Sequence, residues 1–128
     1  MPLPRELSIF LAGAAAGVAV VAALNKIQKL QQRVWLLVEF DVTDFAAWSE
    51  AMIPLLPASR AEPGCCRYAM HRPSAPTAAP ASGSKFLLVE EWQSQAALDQ
   101  HNEYPHFKQY APALGKASNV NIIKLAPI

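Results

Sequence analysis

Cysteine is scarce in this sequence. Cys65 and Cys66 are its only two, and they are neighbours. Two thiols are too few for a disulfide framework or a structural zinc site. Adjacent cysteines also pair poorly, because the ring they close is strained. Charge is sparse as well. Asp, Glu, Lys and Arg make up 16% of the 128 residues, below the roughly one quarter usual in soluble domains. Eleven basic residues nearly cancel ten acidic ones. The basic footprint of a nucleic-acid binder is therefore missing, and no nucleic-acid partner is expected. Low charge beside 52% hydrophobic residues excludes a disordered chain. The length suits one compact domain rather than two.

What charge there is lies unevenly. Arg5, Lys26, Lys29 and Arg33 against Glu6 make the first 33 residues net positive, and the remainder is net negative. Between those basic residues, Leu7 to Leu24 contains no charge and one hydroxyl, Ser8. Eighteen helical residues reach about 27 Å, close to the roughly 30 Å hydrocarbon core of a bilayer. The run reads as a single transmembrane helix. Its Ala and Gly content makes insertion only modestly favourable. Gly13 and Gly17 form a GxxxG pattern, which lets two helix backbones approach closely. Two other readings compete. A cleaved secretory signal needs a positive start and a small-residue cleavage site, but Glu6 offsets Arg5 and no convincing site precedes Asn25. A buried soluble helix is the other. Lys26, Lys29 and Arg33 come just after the run, so the positive-inside rule puts the C-terminal domain on the cytoplasmic side, or the matrix or stromal side of an organelle membrane. Leu24, Ile27 and Leu30 continue an amphipathic stem to about residue 33. Residues 1–33 are thus helix and stem, and 34–128 the folded domain.

In that domain, Val34 to Phe40 is short and β-rich, a first strand. Thr43 or Asp44 can cap a helix carrying Phe45, Trp48, Met52 and Leu55. Pro54 and Pro57 should distort or end it. Glu62-Pro63-Gly64 is a turn signal, and Cys65 to Arg72 a second strand. Pro73 to Ser84, rich in Pro, Ala and Ser, reads as a mobile surface loop. Lys85 to Trp92 is the third strand, with Phe86, Leu88, Glu90 and Trp92 on one face. Ser94 can cap a helix from Gln95 to about Glu103, with Leu98 and His101 on one side of it. Pro105 breaks the chain, a further helical piece ends near Gly115, and Asn119 to Leu125 is the last strand. This order predicts an α+β, ferredoxin-like βαββαβ domain. The first strand is apolar on both faces, so the sheet face without helices needs a cover. A two-fold, sheet-to-sheet homodimer supplies one.

The ordered set Glu62-Pro63-Gly64-Cys65, Tyr68, Phe86 to Trp92, Ala97-Leu98, His101 and His106-Phe107 resembles the antibiotic biosynthesis monooxygenase domain of the dimeric α/β-barrel superfamily, over about residues 34–126. The resemblance implies a ferredoxin-like dimer with a hydrophobic pocket in each subunit. It also implies a choice among cofactor-independent oxygenation of quinols, heme degradation, action on small signalling molecules, and no known chemistry. An N-terminal membrane helix departs from the family pattern. Heme-degrading members carry a Trp nine residues after the third-strand Trp and a His ten further on. Here those positions hold His101 and Ala111, so no heme, and no other cofactor or metal, is expected.

His101 is the candidate catalytic residue. Near-neutral titration suits it to take a proton from a phenol or quinol. The plain alternative is a structural histidine bonded to a backbone carbonyl. Trp92 could stack on an aromatic substrate, Tyr68 could supply a phenolic hydrogen bond, His106 and Phe107 could close the pocket, and Glu90 could orient a polar group. Each has a packing alternative. Cys65 and Cys66 read as small strand residues, and three scattered histidines make no metal site. The residues support two functions from different classes. One is a membrane-anchored, cofactor-independent monooxygenase of a quinol or other small aromatic. The other is an inactive accessory subunit of a larger respiratory or photosynthetic membrane complex, docked among its transmembrane helices through Gly13 and Gly17.

Overall fold

A computed structural model of the chain describes residues 5–74 and 78–128, with side chains from residue 17 onward except at position 31. The chain divides into two compact units, one ending at Gln32 and one spanning Arg33–Ile128. The first is a single helix, α1 (Arg5–Gln31), and it continues through the predicted stem. In its described part Val18, Val20, Val21, Leu24, Ile27 and Leu30 are exposed. Among the described residues no helix is long and apolar enough to cross a membrane. The first half of the Leu7–Leu24 run, with Gly13, lies outside the residues whose side chains are described.

The second unit runs β1 (Val34–Val42), α2 (Phe45–Arg60), β2 (Cys65–His71), β3 (Lys85–Trp92), α3 (Gln95–Glu103), α4 (Pro105–Ala117) and β4 (Ser118–Leu125). Its four strands are ordered β2-β3-β1-β4 with every neighbour antiparallel. This is the expected ferredoxin-like α+β arrangement, with the second helix divided in two at Pro105. β1 sets the layering. Val34, Leu36, Val38, Phe40 and Val42 are buried and alternate with more exposed residues. The register pairs Val34 with Trp92, Leu36 with Glu90, Val38 with Leu88 and Phe40 with Phe86. Directly paired residues share a sheet face, so these eight side chains lie together under the helices.

α2 begins where Asp44, not Thr43, accepts a hydrogen bond from the Ala47 amide at 3.1 Å. It runs through Pro54 and Pro57 to Arg60, so of the two expected outcomes, distortion or an end, the prolines do not bring the second. Each proline removes the bond to the carbonyl four residues earlier. Those carbonyls belong to Glu50 and Ile53, both exposed, so water can serve them. The buried stripe Trp48, Ala51, Met52, Leu55 and Ser59 holds the helix to the sheet. α4 likewise passes Gly115 and ends at Ala117. Its last carbonyl accepts from the amides of Thr43 and Asp44 at 2.9 and 3.0 Å, so a glycine stop is not needed.

Two local features shape the end of the sheet near Trp92. Gly64 lies so close to α3 that an added Cβ would stand 2.4 Å from the Ala97 Cβ. The register between β2 and β3 shifts between Cys65 and Arg67, a bulge that leaves Cys65 half-buried and Cys66 exposed. The β2–β3 connection starts one residue earlier than expected, at Arg72. Gly83 turns there with φ +90°, and residues 75–77 lie outside the described residues. The other sheet face carries Trp35, Leu37, Leu87, Val89, Ile123 and Leu125, all at least partly exposed.

Candidate active site

At the Trp92 end of the core, three polar side chains from three segments meet. Glu62 comes from the turn between α2 and β2, His101 from the last turn of α3, and His106 from the first turn of α4. The α2–β2 turn is braced by Glu62 N–H to Ser59 O and Cys65 N–H to Glu62 O, both 3.1 Å. The contact at Gly64 brings α3 against it. Glu62 Oε2 then lies 2.7 Å from His101 Nδ1 and 2.7 Å from His106 Nε2. Both rings can donate an N–H to this one oxygen. That tautomer leaves a lone pair on His101 Nε2, which among the described residues has no hydrogen-bond partner, and Glu62 Oε1 has none either.

Aromatic rings enclose the group. The His101 ring lies 4.5 Å from Trp92, 4.7 Å from Phe107 and 5.5 Å from Tyr68. Tyr68 meets Trp92 edge-on at 6.2 Å, and Tyr104 stacks on His106 at 5.2 Å. Trp92 Nε1–H donates to Glu90 Oε2 at 2.9 Å. His101 is 1% exposed and Trp92 fully buried, whereas His106 and Phe107 are half-buried.

Burial governs the electrostatics. It pushes the Glu90 carboxyl up to about 7, against the lowering effect of the Trp92 N–H and with help from the Glu62 charge. Burial, then the Glu90 charge, raises the Tyr68 phenol well above its ordinary range. Burial lowers His101 below the usual imidazole value, although the Glu62 hydrogen bond and charge oppose it. The lowering favours the neutral imidazole, and beside the Glu62 carboxylate that form can accept a proton at Nε2 and have the resulting cation stabilised. Cys65 is pushed up to about 11, by burial first and then by Glu62, and Cys66 is raised too. Neither is an activated thiolate.

The structure therefore gathers His101, Trp92, Tyr68, His106, Phe107 and Glu90 into one neighbourhood. Gly17 belongs to the first unit, where an added Cβ would meet nothing within 4 Å. His101 is not bonded to a backbone carbonyl, as its plain structural reading expected; its partner is a carboxylate. Glu62 is read from the sequence as part of a turn and of the family pattern, not as a site residue, because Glu-Pro-Gly registers first as a turn. Two histidines treated there as scattered share that carboxylate, while His71 is exposed at the end of β2. The usable signal was a pair of histidines flanking Pro105 at a helix break.

A model of the family described as antibiotic biosynthesis monooxygenase matches residues 41–113, more than half of the chain. The chain belongs to the antibiotic biosynthesis monooxygenase family. Among curated relatives, the uncharacterised Synechocystis protein sll1783 is 31% identical over 87 residues, covering 65% of this chain and 53% of its own length. Rv0793 of Mycobacterium tuberculosis is 32% identical over 72 residues, covering 55% of this chain and 64% of its own. The chain thus spans between half and two thirds of the length of these relatives. The solved structure of Rv0793 superposes with a TM-score of 0.61 at 26% identity, over 75% of this chain and 95% of that one. SnoaB, a cofactor-independent oxygenase from Streptomyces nogalater, has the same fold, with a TM-score of 0.62 at 16% identity over 76% of this chain and 94% of that one. The family match includes Glu62, Trp92, His101 and His106, so the site lies within the family domain.

Proposed function

We propose that this family member is a cofactor-independent monooxygenase of a quinol or other small aromatic, with His101 as its base. The observation that carries this reading is the polarity of His101: Nδ1 is held by Glu62 while the buried Nε2 has no partner. Substrate displaces the half-buried cover of His106 and Phe107 and stacks against Trp92 and Tyr68. His101 Nε2 accepts a phenolic proton, and Glu62 stabilises the imidazolium. The aryloxide passes an electron to molecular oxygen, and the two radicals join as a peroxide. Loss of water then leaves a hydroxyquinone. One quinol and one O2 give one hydroxyquinone and one water, so the substrate itself supplies the electrons. His106 links Glu62 towards solvent and returns the proton. Two copies bury their open sheet faces against each other. α1 lays its exposed apolar residues Val18, Val21, Leu24 and Ile27 against a membrane that supplies lipid-soluble quinols. Lys26, Lys29 and Arg33 favour its cytoplasmic, or matrix or stromal, face.

Oxygen uptake by the full chain with a panel of hydroquinones tests the reading. His101→Ala is expected to lower turnover by about 10²- to 10⁴-fold, the usual range for a lost general base. Undiminished turnover in that variant removes the role assigned to His101. A folded wild-type protein that consumes no oxygen with any quinol removes the monooxygenase reading itself.

A further inference from the structure

Glu62, His101 and His106 each bring one ligand-capable atom into a cluster within which these atoms lie no more than 4.8 Å apart. The Glu62 and His101 side chains are 3% and 2% exposed, and that of His106 is 20% exposed. A buried carboxylate oxygen without a donor, such as Glu62 Oε1, is costly and uncommon. Among the described residues no Lys or Arg pairs with Glu62. Its ion pairs there are with these two histidines, while Arg33 pairs with Glu91 and Arg60 donates to the Tyr68 carbonyl. A carboxylate and two imidazoles, converging, buried and short of positive charge, are a donor set for a metal ion as well as for protons.

We infer that Glu62, His101 and His106 bind one divalent transition-metal ion of the zinc class, through a Glu62 carboxylate oxygen and the imidazole nitrogens that face it. Zinc takes imidazole nitrogen and carboxylate oxygen at about 2.0–2.2 Å. A tetrahedral ion therefore spaces its ligand atoms about 3.4 Å apart. The nitrogens now stand 2.7 Å from Glu62 Oε2, so each gap must widen by about 0.7 Å to admit the ion. With His101 packed on Trp92 and Phe107, this takes a shift of the Glu62 carboxylate together with His106, the ring free to move. It lies in the first turn of α4, comes after the extended backbone of Tyr104, and is the part-exposed member of the group, which also gives the ion its way in. Coordination requires the facing nitrogens to give up their hydrogens, by transfer to the other ring nitrogen or to water. Metal and hydrogen-bonded proton thus exclude each other at the same lone pairs. The ion would take Glu62 and His101 away from the base chemistry of the proposed oxygenation, so it inhibits that reaction. Binding itself does not depend on that reading.

The experiment is titration of the full chain, stripped with a chelator, using Zn²⁺ by calorimetry and Co²⁺ by absorbance. One ion per chain is expected, with Co²⁺ d–d bands and no thiolate charge-transfer band. His106→Ala and Glu62→Gln are each expected to weaken binding by at least about tenfold, the smallest cost usual even for losing a group behind a ligand. Cys65→Ser with Cys66→Ser is expected to leave stoichiometry and affinity unchanged. No binding to the folded chain at millimolar Zn²⁺ overturns the inference. So does affinity that survives in both His106→Ala and Glu62→Gln, or that disappears with the cysteines. Because His106 is part-exposed, its variant keeps the test alive if Glu62→Gln fails to fold. Oxygen uptake by chelator-treated protein is read separately. Turnover without metal binding overturns this inference alone, and metal binding without turnover overturns the monooxygenase reading alone.

Discussion

The core has an aromatic cluster at each end of β3, and the two are built on different principles. Phe86 and Trp92 are six residues apart on one face of that strand, about 20 Å. Around Phe86 gather Phe40, Phe45 and Trp48, with Trp48 stacked on Phe86 at 4.4 Å and edge-on to Phe40 at 5.6 Å. Around Trp92 gather Tyr68, His101 and Phe107, with Glu62 and Glu90 among them. The contrast extends to the indoles: Trp92 donates its N–H to Glu90, whereas the buried Trp48 Nε1 has no partner among the described residues. One end holds the sheet to α2 by ring packing. The other end carries buried ionisable groups, which cost stability unless paired and are the groups that can do chemistry.

Substitutions at each end test this division. The largest effect is expected at the apolar end. Trp48→Ala should lower unfolding free energy by about 3–5 kcal/mol, the range for emptying a packed aromatic site. Chemical denaturation should give the same loss at pH 5 and pH 8, and a strongly pH-dependent loss would show that the two ends are not separable. At the polar end the sign reverses. Glu90 has a folded pKa of about 7, above its unfolded value, so the folded state holds its proton more tightly. Its contribution is most favourable below the unfolded pKa and is lost as pH rises through about 7. Glu90→Gln keeps an acceptor for Trp92 and removes the buried charge. It should stabilise the protein by about 3 kcal/mol at pH 8 and by almost nothing at pH 4, following the shift between the two states. Equal melting shifts at both pH values would mean that Glu90 is not held protonated by burial. The smallest effect is expected at the join. Gly64→Ala puts a methyl group against Ala97 and should cost about 2 kcal/mol, a typical penalty for overpacking. It should also push α3, and His101 with it, away from Glu62. Unchanged histidine chemical shifts in that variant would show that the close approach does not position the site.

Much of the fold is legible in the residues. The β-rich run of β1, the capping candidates Thr43 or Asp44 and Ser94, and the break at Pro105 place strands and helices before any contact is known. Both α2 and α4 run past their proline and glycine signals for one reason. Whether a proline or glycine ends a helix depends on whether the freed backbone groups find water or another segment, and one segment's sequence does not contain that answer. The site is legible in part. His101, Trp92, Tyr68, His106, Phe107 and Glu90 stand out by residue type and by resemblance. Glu62 does not, since its partners lie 39 and 44 positions away.

The sequence by itself determined the α+β element order, which residues of the third strand share a face, and the family. Those come from local periodicity, capping and residue order, all of which act over a few positions. Only the tertiary structure decided that one carboxylate serves two histidines, that His101 keeps a ring nitrogen without a partner, and that Glu90 is buried deeply enough to hold a proton near neutrality. These depend on distance and desolvation. Both are set when the α2–β2 turn, α3 and α4 close over the Trp92 end of the sheet.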